Sequence, residues 1–380
     1  MAKKKALILA NRTLNIGNVY YSMANPLKKL GYEVHLASNF NQFQGKKENE
    51  DFIVHQIDFI RNPFDIRNIK AYRQLMNLLE KEEFDVIHCN NPISGILGRI
   101  CGYRLNTKKI IYTAHGFHFY KGAPFINRIL YKSVEEHLAK YTDALITINT
   151  EDYQIGNQMK LKNNGKCYYV HGVGIETKFK LISKLRKEEL IKSLNLSKNA
   201  IICIAIGDLN KNKNYKTLIR AFSFLKNSDI HLLICGVGNE KNKLENLVHK
   251  CNITKQIHFL GYRNDVNELL QISDIFIQCS YREGLSRSIM EAMIVGLPCI
   301  VSRIRGNVDL IDEEKGGFLV EPNNYVEIAN RIKMLISNEE LRKNMGKYNQ
   351  QKVQQNDIKN IEEEMKKIYE EVLKEKCNDK

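Results

Sequence analysis

Short apolar runs alternate with longer stretches of helical period along most of the chain. In the first half the runs are ALILA (6–10), YEVHLAS (32–38), DFIVHQI (51–57), DVIHCN (85–90), KIIYTAH (109–115), DALITIN (143–149) and CYYVHG (167–172). Helical patterns lie between them: one follows the turn NIGN (15–18) and runs to about Lys29, and others cover 69–82 and 126–141. Strands of this length alternating with helices predict a parallel, doubly wound α/β sheet. After Gly174 comes a polar, basic stretch, 176–200, whose pattern is helical throughout. The alternation then restarts with AIICIAIGDLN (200–210), DIHLLICGVG (229–238), QIHFLG, DIFIQCS (274–280), PCIVS (298–302) and GGFLV. The expected organisation is therefore two Rossmann-like domains, 1–173 and 174–356, followed by a terminal helix in 357–380. One stripe of that helix is apolar: Ile358, Ile361, Met365, Ile368, Tyr369 and Val372. Two such domains facing each other carry their ligand sites at the carboxyl ends of their strands, in the cleft between them.

Composition narrows the class. At 380 residues with 43% hydrophobic content, the chain can build two ordinary cores. A formal charge of +15 favours an anionic partner: nucleic acid, an anionic membrane surface or a phosphorylated substrate. No apolar run reaches the roughly 18 residues of a membrane span, and ALILA is too short for a signal-peptide core, so the expectation is a cytoplasmic chain. Nine scattered cysteines, without C-x-x-C or zinc spacing, read as structural thiols, and no metal site is expected.

Every loop that carries candidate chemistry follows an apolar run. In REGLSRSIMEAMIVGLPCIVSRIRG (282–306) two carboxylates, Glu283 and Glu291, stand eight residues apart. On one helix they would diverge by roughly 80°. The spacing makes sense if Glu283 stays in a loop and only Glu291 is helical. Glu283, the amides near Gly284 and Leu285 and the helix N-terminus then converge on a site for a group bearing hydroxyls and phosphates. A charged helix start is the plainer reading. GDLNKNKN (207–214) joins a turn at Gly207 to two lysines and a helix start, an anion seat with Lys213 the best-placed cation; a solvated basic turn is the alternative. CGVGNEK (235–241) has two glycines of a dinucleotide fingerprint but Lys241 in the third place, which argues against nicotinamide binding. At the first strand-to-helix turn, Gly17 either admits a ligand phosphate or supplies a positive φ.

TAHGFHFYKGAPF (113–125) brings His115 and His118 to a strand end, His115 toward a cleft and His118 toward either a substrate or a structural hydrogen bond. Its continuation through Lys121, Phe125, Arg128, Ile129, Leu130 and Lys132 is compatible with an anionic membrane surface or with ordinary helix packing. Asn90 and Asn91 in HCNNPISG (88–95) suit a polyol or a plain turn.

GDLNKNKN, GVGIETKF (172–179), SYREGLSRSIMEAMIVGLPCIV and IRGNVDLI (304–311) resemble family 4 of the retaining glycosyltransferases, which have the GT-B fold. AHGFHFYKGAP and LITINTEDY (145–153) are similar to its bacterial exopolysaccharide and capsule branch. The resemblance implies a nucleotide diphosphate sugar as donor, a UDP-sugar being favoured, held chiefly by the second domain. The acceptor would be a glycan or a polyprenyl-diphosphate-linked sugar, on the side of Asn90, Asn91 and His118. Glu283 would contact the transferred sugar, Gly284 and Leu285 the diphosphate, Glu291 the ribose and Lys213 the leaving charge. His115 would reach the sugar from the first domain, Gly207 and Gly17 would line the donor site, and the terminal helix would cross back onto the first domain. The resemblance also implies retention without a covalent intermediate, with Glu283 positioning rather than attacking. No D-x-D triplet occurs, so lysine and helix dipole would stabilise the leaving group without metal or cofactor. Family members often carry Arg where this chain has Asp208; Lys211 or Arg287 would have to compensate. Two other readings are a nucleotide-sugar epimerase or hydrolase on the same fold, and a basic nucleic-acid-binding protein. The second has charge alone behind it, since no recognition module is visible.

Overall fold

The computed structural model describes residues 3–44, 51–120, 122–225 and 229–374. They form two compact units: one runs to Ile175 and resumes at Asn356, and the other is Glu176–Gln355. Strands of the first unit are β1 (Lys5–Arg12), β2 (Glu33–Asn39), β3 (Ile53–Gln56), β4 (Val86–Asn90), β5 (Lys109–Ala114), β6 (Ala144–Thr147) and β7 (Lys166–Tyr169). Their order is β3-β2-β1-β4-β5-β6-β7, with every pair parallel. The chain winds outward from β1 to β3, then returns to lay β4 against the other side of β1. Successive side chains of β1 serve opposite cores, as a sheet covered on both faces requires. Ala6, Ile8 and Ala10 pack with Met23, Ala24 and Leu27 of the helix Asn18–Lys29. Leu7 and Leu9 pack with Leu75, Leu79, Ile93 and Cys101 of the helices Asn68–Glu82 and Pro92–Arg104.

The terminal helix Ile358–Leu373 buries Ile361, Met365, Ile368, Tyr369 and Val372, and lies in the first unit's core beside the helix Asn18–Lys29. Its start is fixed by a parallel bridge between Ile175 and Asp357. Deeper in, the Tyr369 hydroxyl sits 2.6 Å from Nδ1 of the fully buried His88, whose Nε2 lies 2.7 Å from Thr113 Oγ1. Both ring nitrogens of an otherwise stranded histidine are thereby satisfied, and burial lowers its pKa to about 3.

The second unit contributes β8 (Ile201–Ile206), β9 (Ile230–Cys235), β10 (Ile257–Gly261), β11 (Ile275–Gln278), β12 (Cys299–Ser302) and β13 (Gly317–Val320), in the parallel order β10-β9-β8-β11-β12-β13. Here too the winding reverses beside the first strand, between β8 and β11. The stretch 176–200 departs from expectation: only Lys184–Ser193 is helical. It has one buried side chain, Leu190, so no apolar face supports a longer helix. The Ser183 hydroxyl caps it by accepting from the Arg186 amide, and Gln271 holds the preceding backbone at Lys180 and Ile182. The eight described cysteines are free thiols, and all but Cys251 are buried.

Two outcomes follow from the first unit's buried histidines. Tyr369→Phe should cost about 1–3 kcal/mol in urea unfolding, because it strands one nitrogen of His88; a loss under about 0.5 kcal/mol would show that the bond contributes nothing. Burial also lowers His55 to about 4, with the neighbouring His35 a second cause. Both pKa values lie below the unfolded value of about 6.5, so the unfolded chain binds more protons in between. Their contribution is complete above pH 6.5 and is lost as the pH falls toward 4 and 3, so the unfolding midpoint should drop between pH 7 and 5. Replacing His88 with Gln should flatten that dependence.

Candidate functional site

In the second unit the ends of β8 and β11 are neighbours, and the loops that follow them interlock. The Asn212 side-chain amide donates to the Arg282 carbonyl at 2.9 Å, and the Tyr281 amide donates to the Asn212 carbonyl at 2.8 Å. Across this seam Lys213 Nζ lies 2.7 Å from Glu283 Oε1, with both side chains largely removed from solvent. Lys213 ends a 3-10 turn, Lys211–Lys213, that precedes the helix Tyr215–Ser223, and the Asn210 side chain accepts from its amide. Its stem lies along Gly207, where φ is +148° and a Cβ would come within 2.8 Å of Lys213 Cε. Gly207 is thus required twice, for its conformation and for the space it leaves to the lysine.

The glycines of CGVG have a structural purpose of the same kind. A Cβ on Gly236 would fall 2.0 Å from the Gly207 carbonyl oxygen, and one on Gly238 would fall 2.4 Å from that of Leu209. They let two backbone loops touch, which accounts for the G-x-G without a dinucleotide.

Glu283, Gly284 and Leu285 are in the loop; Glu291 is in the helix Arg287–Ile294. That helix starts at Ser286, whose hydroxyl approaches Ser288 Oγ at 3.2 Å and leaves the N-terminus without a side-chain cap. Its first-turn amides and the positive end of its dipole therefore follow Glu283 closely in sequence, and Glu283 brings Lys213 to them across 70 residues of chain. Arg305 Nε holds the loop through the Glu283 carbonyl at 3.2 Å. Glu291 accepts from Arg287 Nε at 3.0 Å, one turn away on the same helix. The guanidinium suggested as a substitute at the Asp208 position is thus already paired with a carboxylate. Asp208 and Lys211 are both exposed.

The first unit assembles a second cluster at the ends of β4 and β5. The Asn90 Oδ1 and His115 Nε2 atoms are in hydrogen-bond contact, and Asn90 is buried. Its oxygen is engaged with the imidazole and not offered to a polyol. His115 keeps part of its surface in solvent, yet lost solvation lowers its pKa to about 4. It is a neutral ring at neutral pH. Asn91 adopts φ 93° before the helix Pro92–Arg104, and its side chain accepts from the Asn11 amide at 3.4 Å, the behaviour of a turn residue. The His118 ring packs against the Tyr131 ring, with centroids 5.0 Å apart. At Gly17 φ is −128° and a Cβ would meet nothing within 4 Å, so the positive-φ explanation for this glycine fails. Lys121 lies outside the described residues.

Asn212 and Arg305 belong to this site although neither was named as a site residue from the sequence; Asn212 stood inside the motif GDLNKNKN. Each acts by bonding a backbone carbonyl of a distant loop, and such a role leaves no spacing signature. Arg305 likewise stood inside a motif, IRGNVDLI, that carried the family resemblance.

Both units of the chain are similar to known glycosyltransferases. Residues 186–352 match the model for glycosyl transferases group 1, and residues 12–149 match glycosyl transferase 4-like. EpsD of Bacillus subtilis (strain 168), a protein named as a glycosyltransferase, is 34% identical over 347 residues, which is 90% of each chain. The Escherichia coli UDP-Gal:alpha-D-GlcNAc-diphosphoundecaprenol alpha-1,3-galactosyltransferase is 33% identical over 72% of this chain and 71% of its own. Anabaena Alr3699/HepE, solved in complex with UDP-glucose, superposes with a TM-score of 0.80 at 17% identity, covering 97% of this chain and 99% of that one. The chain belongs to the group 1, 4-like glycosyltransferases and has the GT-B fold.

Proposed function

We propose that this glycosyltransferase moves a hexosyl or N-acetylhexosaminyl group from a nucleotide diphosphate sugar, a UDP-sugar being favoured, to a glycan or a polyprenyl-diphosphate-linked sugar, with retention, in the assembly of a surface polysaccharide. The observation that carries the reading is the Lys213–Glu283 pair beside an uncapped helix N-terminus, at the winding reversal between β8 and β11. Open α/β sheets bind ligands at this position. A nucleoside diphosphate leaving group gains negative charge as the anomeric bond breaks, and a lysine with oriented amides stabilises that charge without rearranging. The name of the Escherichia coli relative supplies the chemistry of donor and acceptor by analogy.

In this reading Lys213 and the amides of Gly284 and Leu285 take the diphosphate, with Gly207 and Gly17 near the donor. Glu283 accepts hydroxyls of the transferred sugar, and Glu291 accepts those of the ribose. The acceptor hydroxyl attacks the face from which the diphosphate departs, and its proton passes to a departing phosphate oxygen. Glu283 is a weak nucleophile for a double displacement because its carboxylate already faces a lysine at 2.7 Å. His115, neutral and held through Nε2 by Asn90, turns its remaining ring nitrogen to a sugar hydroxyl. Asn90 is then a positioning residue.

A panel of nucleotide sugars, screened for thermal stabilisation and then for transfer to a lipid-linked sugar, tests the whole reading. Donor turnover with no acceptor dependence would favour the epimerase or hydrolase reading. Lys213→Ala should lower kcat on the order of 10²–10³-fold; full activity would remove the diphosphate argument. Glu291→Ala should raise the donor KM about tenfold with little change in kcat, and a glycosyl adduct trapped on Glu283 would overturn the mechanism.

Acid inactivation should report the environment of His115. With its pKa at about 4, wild-type kcat/KM should stay level down to about pH 5. Asn90→Asp puts a carboxylate against the ring, favours the imidazolium and should move the acid limb upward by about one pH unit or more. An unmoved limb would remove His115 from the reacting site.

A further inference from the structure

We propose that the first unit binds a phosphate ester in a cleft at the amino ends of β5, β6 and β7, the sheet edge opposite the loop that carries His115. The cleft measures about 670 Å³, within the range of small-molecule sites. It forms where three strands begin: Lys109 opens β5, Asp143 precedes β6 and Lys166 opens β7. The 3-10 turn Lys162–Asn164 and the end of the terminal helix, through Glu371, Val372 and Lys374, complete its walls. Six strand rises separate Lys109 from His115, roughly 20 Å. Open sheets carry their reactions at the carboxyl ends of the strands, so an occupant at this edge takes no part in transfer.

The charges of the cleft call for an anion. Four lysines line it against two carboxylates, and both carboxylates are already engaged. Buried Asp143 accepts from the Ile110 amide at 2.9 Å and lies 3.4 Å from Lys162 Nζ. Glu371 accepts from Lys166 at 2.5 Å and from the Tyr168 hydroxyl, and it also feels the charge of Lys374. Among the described residues, no carboxylate comes within 4.0 Å of Lys109 or Lys374. Two ammoniums from distant parts of the chain thus line one concavity without an ion-pair partner. A phosphate supplies the counter-charge with charge-assisted hydrogen bonds.

The walls are fixed in shape. Asn163 and Asn164 both adopt positive φ, 53° and 57°. A Cβ on Gly165 would fall 2.2 Å from the Asp143 carbonyl oxygen, so the turn closes onto the sheet only with glycine there. Lys162 is thereby held beside Asp143 with its side chain 23% exposed. Half-buried Tyr168 and buried Val372 add apolar surface next to the cations. Cations beside an apolar wall suit an ester better than a bare ion. A nucleoside phosphate and a sugar phosphate are two sources of that chemistry. Either would join β5 and the turn to the terminal helix, whose Tyr369 bonds His88 in the core, so occupancy should stabilise that helix.

Amide hydrogen exchange on the full chain locates the binding directly. The probes are uridine monophosphate and glucose 1-phosphate, with inorganic phosphate and sulfate as controls for charge alone. At least one ester should slow exchange in 162–168 and 366–374 and raise the thermal unfolding midpoint. Tighter binding of the first assigns a nucleoside phosphate, and tighter binding of the second a sugar phosphate. Lys109→Ala with Lys374→Ala should weaken that binding on the order of tenfold or more, with far-UV circular dichroism and transfer activity unchanged. Lys109→Arg should retain it. Protection confined to 207–214 and 283–294, an effect matched by inorganic phosphate or sulfate, or binding that survives in the alanine pair would overturn the proposal.

Discussion

The parallel pairing of β8 with β11 is the constraint on which the second unit's chemistry depends. These strands are the first and fourth of their unit, and their adjacency sets a lysine from one loop 2.7 Å from a glutamate of another, 70 residues away. Neither loop could hold that contact alone. The Asn212 and Tyr281 bonds stitch the loops together, Arg305 supports the glutamate loop from behind, and Gly207 and Gly236 let the backbones close up. An ion pair removed from most of its solvent needs such support, since desolvation cancels much of its attraction unless geometry is enforced. The pair is better understood as a poised charge arrangement than as a source of stability.

The first unit handles its polar groups differently. It buries neutral ones and satisfies them locally. His88 lies between Tyr369 and Thr113, His115 lies against Asn90, and burial lowers the pKa of both histidines. The Tyr369 contact ties the last helix to a central strand, so the chain's end completes the core its beginning started. Asp143, Asp152 and Arg99 are buried exceptions, the last a guanidinium bonded to Glu135 and stacked 4.0 Å over the Tyr112 ring. Arg99 fastens a helix whose N-terminal turns are left unsupported by the core.

The +15 charge is not evenly meaningful. Many cations meet carboxylates on the surface, as in Lys3–Glu33 and Lys343–Glu339, and exposed pairs of that kind contribute little. Lys213 differs because its pair is largely removed from solvent and stands beside an uncapped helix start.

Much of the architecture was legible in the residues alone. Alternating apolar runs and helical stripes marked the strands and the terminal helix because burial of side chains is periodic and local. Family motifs pointed to the same loops, and the helix after one of them, that carry Lys213, Glu283 and Glu291. The pattern failed at 176–182, where polar composition cannot tell a helix from backbone held by Gln271, and at Gly17, whose backbone is extended. What the sequence could not express was adjacency. Strand order decides that the loop after β8 meets the loop after β11, and that Asn90 meets His115. Those relations arise from pairing across 25 to 70 positions of chain, for which hydrophobic periodicity carries no signal. Residue types and their local spacing were written in the sequence; which of them face one another was decided by the tertiary structure.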